Sequence, residues 1–109
     1  MTGGMVLHAG DIIRSEDMRF TLQFQDDGNL VLYDQSANAL WASGTAGSGA
    51  TQVDMQMEGN LVIYAGGTPV WATPTGSYPN AYLLVQNDGN VVIYSDVGVP
   101  LWATNTCCH

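Results

Sequence analysis

Apolar and polar residues alternate with a period of two along most of the chain. Leu22 and Phe24 alternate with Gln23 and Gln25, and Leu30 and Leu32 alternate with Val31 and Tyr33. Such alternation predicts strands with one buried face. An acidic residue followed by Gly-Asn separates the two runs, which is a strong hairpin signal. A looser turn around Gln35 to Ala39 leads to a further strand carrying Trp41. No stretch shows a helical period.

The hairpin recurs. Phe24-Gln25-Asp26-Asp27-Gly28-Asn29-Leu30-Val31-Leu32-Tyr33 returns as Met55-Gln56-Met57-Glu58-Gly59-Asn60-Leu61-Val62-Ile63-Tyr64 and as Val85-Gln86-Asn87-Asp88-Gly89-Asn90-Val91-Val92-Ile93-Tyr94, at offsets of 31 and 30 residues. A Trp-Ala-Ser/Thr segment follows each copy, with Trp41, Trp71 and Trp102 spaced by 30 and 31. Two landmarks repeating in step mark an internal repeat of one β unit. A unit of about 30 residues cannot bury its apolar face alone. Three units around an axis can, with the tryptophans meeting near the centre, which predicts three small antiparallel sheets arranged as a prism.

Period two also separates the faces. With Leu30, Leu32 and Trp41 inward, Gln25, Asn29, Val31 and Tyr33 turn outward together. In the third copy Leu83, Val85, Val91 and Ile93 take the inner face, and Gln86, Val92 and Tyr94 the outer one. Gln and Asn offer donors and acceptors, Asp accepts only, and Tyr does both at the end of a rigid ring. Val supplies a small apolar floor. Hydroxyl-rich ligands with a C–H face need this mixture, and hydrogen bonding to hydroxyls discriminates between epimers. Hairpin and strand propensity alone would favour Asp-Gly-Asn, Val and Tyr. It does not explain why Gln, Asn, Val and Tyr recur while the inward Phe24, Met55 and Val85 drift.

The 109 residues bound the chain to one domain spanning 1–109. Only 11% of residues are charged, well below the roughly 25% of ordinary domains, so neutral polar groups must cover the surface. Arg14 and Arg19 are the only Lys or Arg residues, and the formal net charge is −8. Neutralising phosphates requires Lys and Arg, so neither nucleic acid nor an anionic membrane is an expected partner. No apolar run approaches the ~20 residues of a membrane span, so membrane insertion is not expected. Met1 to Gly10 lack the features of a secretory signal, which leaves a cytoplasmic chain or one secreted without a retained signal. The adjacent Cys107 and Cys108 cannot easily bond to each other. Residues 107–109 are expected to form a mobile tail, with an intermolecular disulfide as the alternative. No metal or cofactor is expected.

The motif Gln-x-Asp-x-Asn-x-Val-x-Tyr, three times at this spacing and each time followed by Trp-Ala-Ser/Thr, resembles the monocot mannose-binding lectins, the snowdrop-agglutinin-related or bulb-type family. The likeness runs from about Leu7 to Thr106. It implies an all-β, β-prism II fold of three four-stranded sheets with pseudo-threefold symmetry, and mannose binding without metal or cofactor. It also implies that Asp and Asn bind the axial 2-hydroxyl, Gln the 3-hydroxyl and Tyr the 4-hydroxyl, with Val on the C3–C4 edge. The matching residues are Gln25, Asp27, Asn29, Val31 and Tyr33, then Gln56, Glu58, Asn60, Val62 and Tyr64, then Gln86, Asp88, Asn90, Val92 and Tyr94. Glu58 departs from the family's Asp, so the second copy is expected to bind more weakly. Plant members usually carry a disulfide from the position of Gly28 to one near the second copy, and this chain lacks it. The family further implies a homodimer formed by exchange of the C-terminal strand, about Leu101 to Thr106, or a higher oligomer, and high-mannose N-glycans as multivalent targets.

Other classes fit less well. Asp27, Glu58 and Asp88 fall in separate copies, whereas a glycosidase needs two carboxylates roughly 5–9.5 Å apart, so no enzymatic activity is expected. A β-trefoil lectin would carry longer repeats and a Gln-x-Trp motif. The runner-up is a binding-silent family member serving as a structural or protein-interaction module.

Overall fold

The structure, a computed structural model, describes residues 1–107. Among these there are eleven strands and no helix. The first sheet holds β2 (Ile12–Arg14), β3 (Thr21–Phe24), β4 (Leu30–Tyr33) and β5 (Ala39–Ala42), in that order. The second holds β1 (Val6–His8), β6 (Gln52–Met55), β7 (Leu61–Ala65) and β8 (Thr68–Ala72). The third holds β9 (Tyr82–Val85), β10 (Val91–Tyr94) and β11 (Pro100–Ala103). All neighbouring strands run antiparallel. The third sheet therefore has three strands, not the four expected.

The missing strand has a one-residue counterpart. Met1 exchanges backbone hydrogen bonds with Leu83 on β9, at 2.8 and 2.9 Å. Six residues later Leu7 pairs with Val53, and Ile13 then pairs with Leu22. The opening segment thus visits the third, second and first sheets in turn. Gly4 N–H donates to Met55 O and Gly10 N–H to Phe24 O, both at 2.8 Å, which repeats the same contact in two sheets.

The inward faces meet as the alternation predicts. Leu22, Phe24, Leu30 and Leu32 join their counterparts from the other two copies in one buried cluster. Trp41, Trp71 and Trp102 form a triangle, each pair edge-to-face with ring centroids 5.7 Å apart. This geometry suits the ring quadrupoles and adds to their burial. Each Trp strand breaks strict alternation. The register shifts between Leu32 and Tyr33, between Ile63 and Tyr64, and between Ile93 and Tyr94. One extra residue on the Trp strand opposes this step, the signature of a β-bulge. It lets the consecutive residues Leu40 and Trp41, and likewise Leu101 and Trp102, both pack against the core.

The mobile-tail expectation concerns 107–109. Cys107 is exposed, whereas Cys108 and His109 lie outside the described residues.

Candidate functional site

Each outward patch is built on a three-residue hairpin loop. In the first copy Gln25 N–H donates to Asn29 O at 2.8 Å, and Gly28 N–H donates to Gln25 O at 3.0 Å. Gly28 sits at φ 90°, and the equivalent Gly59 and Gly89 at 112° and 91°. A side chain at this backbone angle is strained, so glycine closes every loop. The loop brings Gln25 before the turn beside Asn29 after it, and β4 adds Val31 and Tyr33 on the same outer face.

In the first and third copies the polar side chains form a continuous chain. Tyr33 OH donates to Gln25 Oε1, and Gln25 Nε2 lies 3.3 Å from both carboxylate oxygens of Asp27. This amide orientation is the one that satisfies both ends of the side chain. Asp27 Oδ1 also accepts from the backbone N–H of Asn29 at 2.9 Å. In the third copy Tyr94 OH donates to Gln86, whose Nε2 lies 3.1 and 3.2 Å from the Asp88 oxygens. Asp88 Oδ1 accepts from Asn90 N–H at 2.9 Å. Asp therefore shapes the loop as well as facing the solvent, a dual role its short side chain allows.

Val31, Val62 and Val92 lie on the outer face as expected, yet they are only 4%, 3% and 4% exposed. They do not belong to the central cluster. Flanking residues cover them: Val31 stands between Gln23 on β3 and Ala42 on β5. Little of the apolar floor is therefore exposed.

The Asn side chain is held by a partner that the outward pattern does not reveal. Asn29 Oδ1 accepts from Ser43 Oγ at 3.1 Å, Gly44 N–H at 3.1 Å and Thr45 N–H at 3.3 Å. Asn90 Oδ1 accepts from Thr104 Oγ1 at 3.1 Å and Thr106 N–H at 3.3 Å. Tying down the oxygen leaves the amide NH2 as the end that can meet a ligand. In the first and third copies the Ser/Thr-x-Thr after Trp-Ala carries this support. Thr45 and Thr106 hydroxyls also donate to the Gly28 and Gly89 carbonyls at 2.6 Å. The recurring Ser/Thr was the available signal, but its role needed the contact between strand end and hairpin loop.

The second copy is different. Gln56 hydrogen-bonds Tyr64 OH, but no hydrogen bond joins Glu58 to Gln56 or to Asn60 N–H among the described residues. Asn60 Oδ1 is buried without a hydrogen-bond partner.

A backbone or side-chain brace supports each hairpin from outside. Gly47 N–H donates to Asp27 O at 2.8 Å, and Asn80 N–H to Met57 O at 3.0 Å. In the third copy the Arg19 guanidinium donates to Asn87 O, and Asp17 N–H donates to Asn87 Oδ1 at 3.0 Å. Asp17 and Arg19 form an ion pair at 2.6 Å. Desolvation pushes the Asp17 carboxyl up, but hydrogen bonds from Arg19 and Ser15 together with the Arg19 charge outweigh it and hold the pKa below the usual value. Among the described residues no group of three or more His, Cys, Asp or Glu is placed to hold a metal ion.

Comparison with known proteins places this geometry. No family model matches the chain. A mannose-specific lectin of Aloe arborescens is 40% identical over 77 residues, which are 69% of this chain and 59% of that protein. Matches to curated relatives span about three fifths of those proteins' own length. A monomeric monocot mannose-binding lectin of Gastrodia elata is 41% identical, with 98% of this chain and 96% of that one aligned at a TM-score of 0.89. A domain-swapped lectin dimer from Mycobacterium smegmatis is 39% identical, covering 94% and 95% of the two chains at a TM-score of 0.59. The three-sheet architecture is a β-prism II fold, and with this identity along nearly its whole length the chain belongs to the monocot mannose-binding, bulb-type lectin family.

Proposed function

We propose that the protein is a mannose-binding lectin whose working sites are the first and third copies. The observation that carries the reading is the Tyr–Gln–Asp hydrogen-bonded chain beside an oxygen-anchored Asn amide, present in both. The arrangement offers a fixed donor and a fixed acceptor for one hydroxyl, Asn NH2 and Asp carboxylate, which suits the axial 2-hydroxyl of mannose. Gln and Tyr then meet the 3- and 4-hydroxyls, and the Val takes the C3–C4 edge. Glu58 lacks the loop contact made by Asp27 and Asp88, so the second copy binds more weakly.

A shallow site with four or five hydrogen bonds supports about millimolar affinity, ~4 kcal/mol. Useful binding to high-mannose N-glycans then comes from linked sites. In the single chain β11 pairs with its own β10. Exchange of this strand between two chains would keep the same pairing and double the number of sites. Mass measurement in solution, with and without reductant, checks the dimer and any disulfide through Cys107.

Retention on mannan-agarose and release by free mannose test the central reading. The Asn29→Ala, Asn90→Ala double variant should flow through. Flow-through of the unmodified protein would instead favour the binding-silent alternative.

A further inference from the structure

The orphaned oxygen of Asn60 has a cause in the chain that follows its Trp strand. The three equivalent segments are Ser43-Gly44-Thr45, Thr73-Pro74-Thr75 and Thr104-Asn105-Thr106. Their outer hydroxyls behave alike: Thr75 Oγ1 donates to Gly59 O at 2.8 Å, as Thr45 and Thr106 do to Gly28 and Gly89. The first hydroxyl differs, because Ser43 and Thr104 donate to their Asn whereas Thr73 Oγ1 meets only Leu61 N–H and Thr75 Oγ1, and so does the middle residue. Gly44 lies at φ 75° and Asn105 at φ 59°, both left-handed. Proline is confined to φ near −65° and has no N–H. Pro74 therefore cannot donate as Gly44 does, and it cannot follow the backbone path that turns the next N–H toward the Asn oxygen. Thr45 N–H and Thr106 N–H reach that oxygen, whereas nothing donates to Asn60 Oδ1.

We infer that Pro74 is a positioning residue of the second copy, acting through Asn60, and that it weakens sugar recognition there independently of Glu58. The inference rests on the lectin reading above. A buried carbonyl oxygen without a donor is costly, and no hydrogen bond to that oxygen holds the Asn60 amide in one orientation. The NH2 is therefore not pinned toward the ligand. Glu58 is an acceptor only, so the second copy offers the 2-hydroxyl no fixed donor. A hydroxyl has one proton to give and cannot satisfy two acceptors at once. Restoring Asp at position 58 alone leaves that defect in place.

The test is a site-resolved titration of the full chain with methyl α-mannoside, following the backbone amides of Val31, Val62 and Val92 by two-dimensional NMR. In the unmodified protein Val62 should respond with an affinity at least about tenfold weaker than Val31 and Val92, a gap of about 1.4 kcal/mol. Glu58→Asp alone should leave most of the gap. Glu58→Asp combined with Pro74→Gly, or with Pro74→Asn as in the third copy, should bring Val62 to within about threefold of Val31. Before any sugar is added, the Asn60 side-chain NH2 signals should move toward those of Asn29 and Asn90. Full recovery with Glu58→Asp alone, or no gain from either Pro74 replacement in that background, would overturn the inference. Absence of a saturable response at Val31 and Val92 would instead overturn the lectin reading and, with it, this role for Pro74.

Discussion

At the residue scale, the outward motif is only half of the proposed site. In the proposed sites Asn29 and Asn90 would act through both ends of their amides, the NH2 toward the sugar and the oxygen held by the segment that follows the Trp strand. Replacing either by Ala therefore has two effects. Sugar binding at that copy should be lost, and the donors of Ser43, Gly44 and Thr45, or of Thr104 and Thr106, lose their acceptor. The second effect should cost about 1–3 kcal/mol in chemical denaturation. Loss of that copy's response to methyl α-mannoside without loss of stability would contradict the anchoring. The Asp positions follow the same logic. Asp27→Glu in the first copy should imitate Glu58 and weaken that copy's response to methyl mannoside, because the longer side chain no longer caps Asn29 N–H.

At the element scale, the hairpins are similar but their supports are not. The second hairpin is packed more tightly than the first: a methyl on Gly59 would approach Tyr78 O to 2.1 Å and Thr75 O to 2.6 Å, at a φ of 112°, whereas one on Gly28 would come no nearer than 3.2 Å to Thr45 O. Gly59→Ala should therefore lower stability by more than about 2 kcal/mol. Gly10→Ala, with positive φ but open space around it, should cost less; equal losses in thermal melts would refute the steric account. The third hairpin depends on charge. Because Asp17 titrates below its unfolded value, its contribution is present above a pH of about 3.9. It is lost as the pH falls through the lower folded-state pKa. Arg19→Ala at neutral pH, or acidification of the unmodified chain through the lowered pKa of Asp17, should lower the protection of the Asn87 to Gly89 amides relative to their intrinsic exchange rates at the same pH. The first hairpin, braced by Gly47 N–H, should change less. Equal loss of protection in both hairpins would contradict a local clamp.

At the scale of the whole molecule, the Trp triangle and the opening segment join three units that could not stand alone. Trp71→Ala should destabilise all three sheets together, by about 3 kcal/mol, because each ring contacts both others. Leu7 is 6% exposed and packs in the central cluster, so Leu7→Ala should cost about 2–3 kcal/mol. Both losses should appear as one cooperative transition seen by tryptophan fluorescence and by far-ultraviolet circular dichroism. Separate transitions would mean that the sheets fold independently.

Local chemistry was enough to read much of this from the sequence. Period-two alternation, the Gly-closed loops and the triple repeat determined the strands, the hairpins, the inward and outward faces and the central tryptophans. These properties belong to near neighbours in the chain or follow from its symmetry. Other features depended on contacts across the fold. Leu40 and Trp41 share the core because of a bulge visible only in the pairing register. Met1 and Leu7 look unremarkable in sequence, and their value lies in lending edge pairing to sheets formed by residues far along the chain. Val31 reads from the sequence as a small apolar floor on the outer face, and the fold leaves it only 4% exposed, between Gln23 on β3 and Ala42 on β5. Ser43, Thr45, Thr104 and Thr106 took on their role only when the strand end met the hairpin loop. Glu58 could be marked as a departure from the motif alone. Pro74 could not, because its effect falls on Asn60, 14 residues earlier, through a backbone angle and a missing N–H that only the folded contact makes relevant.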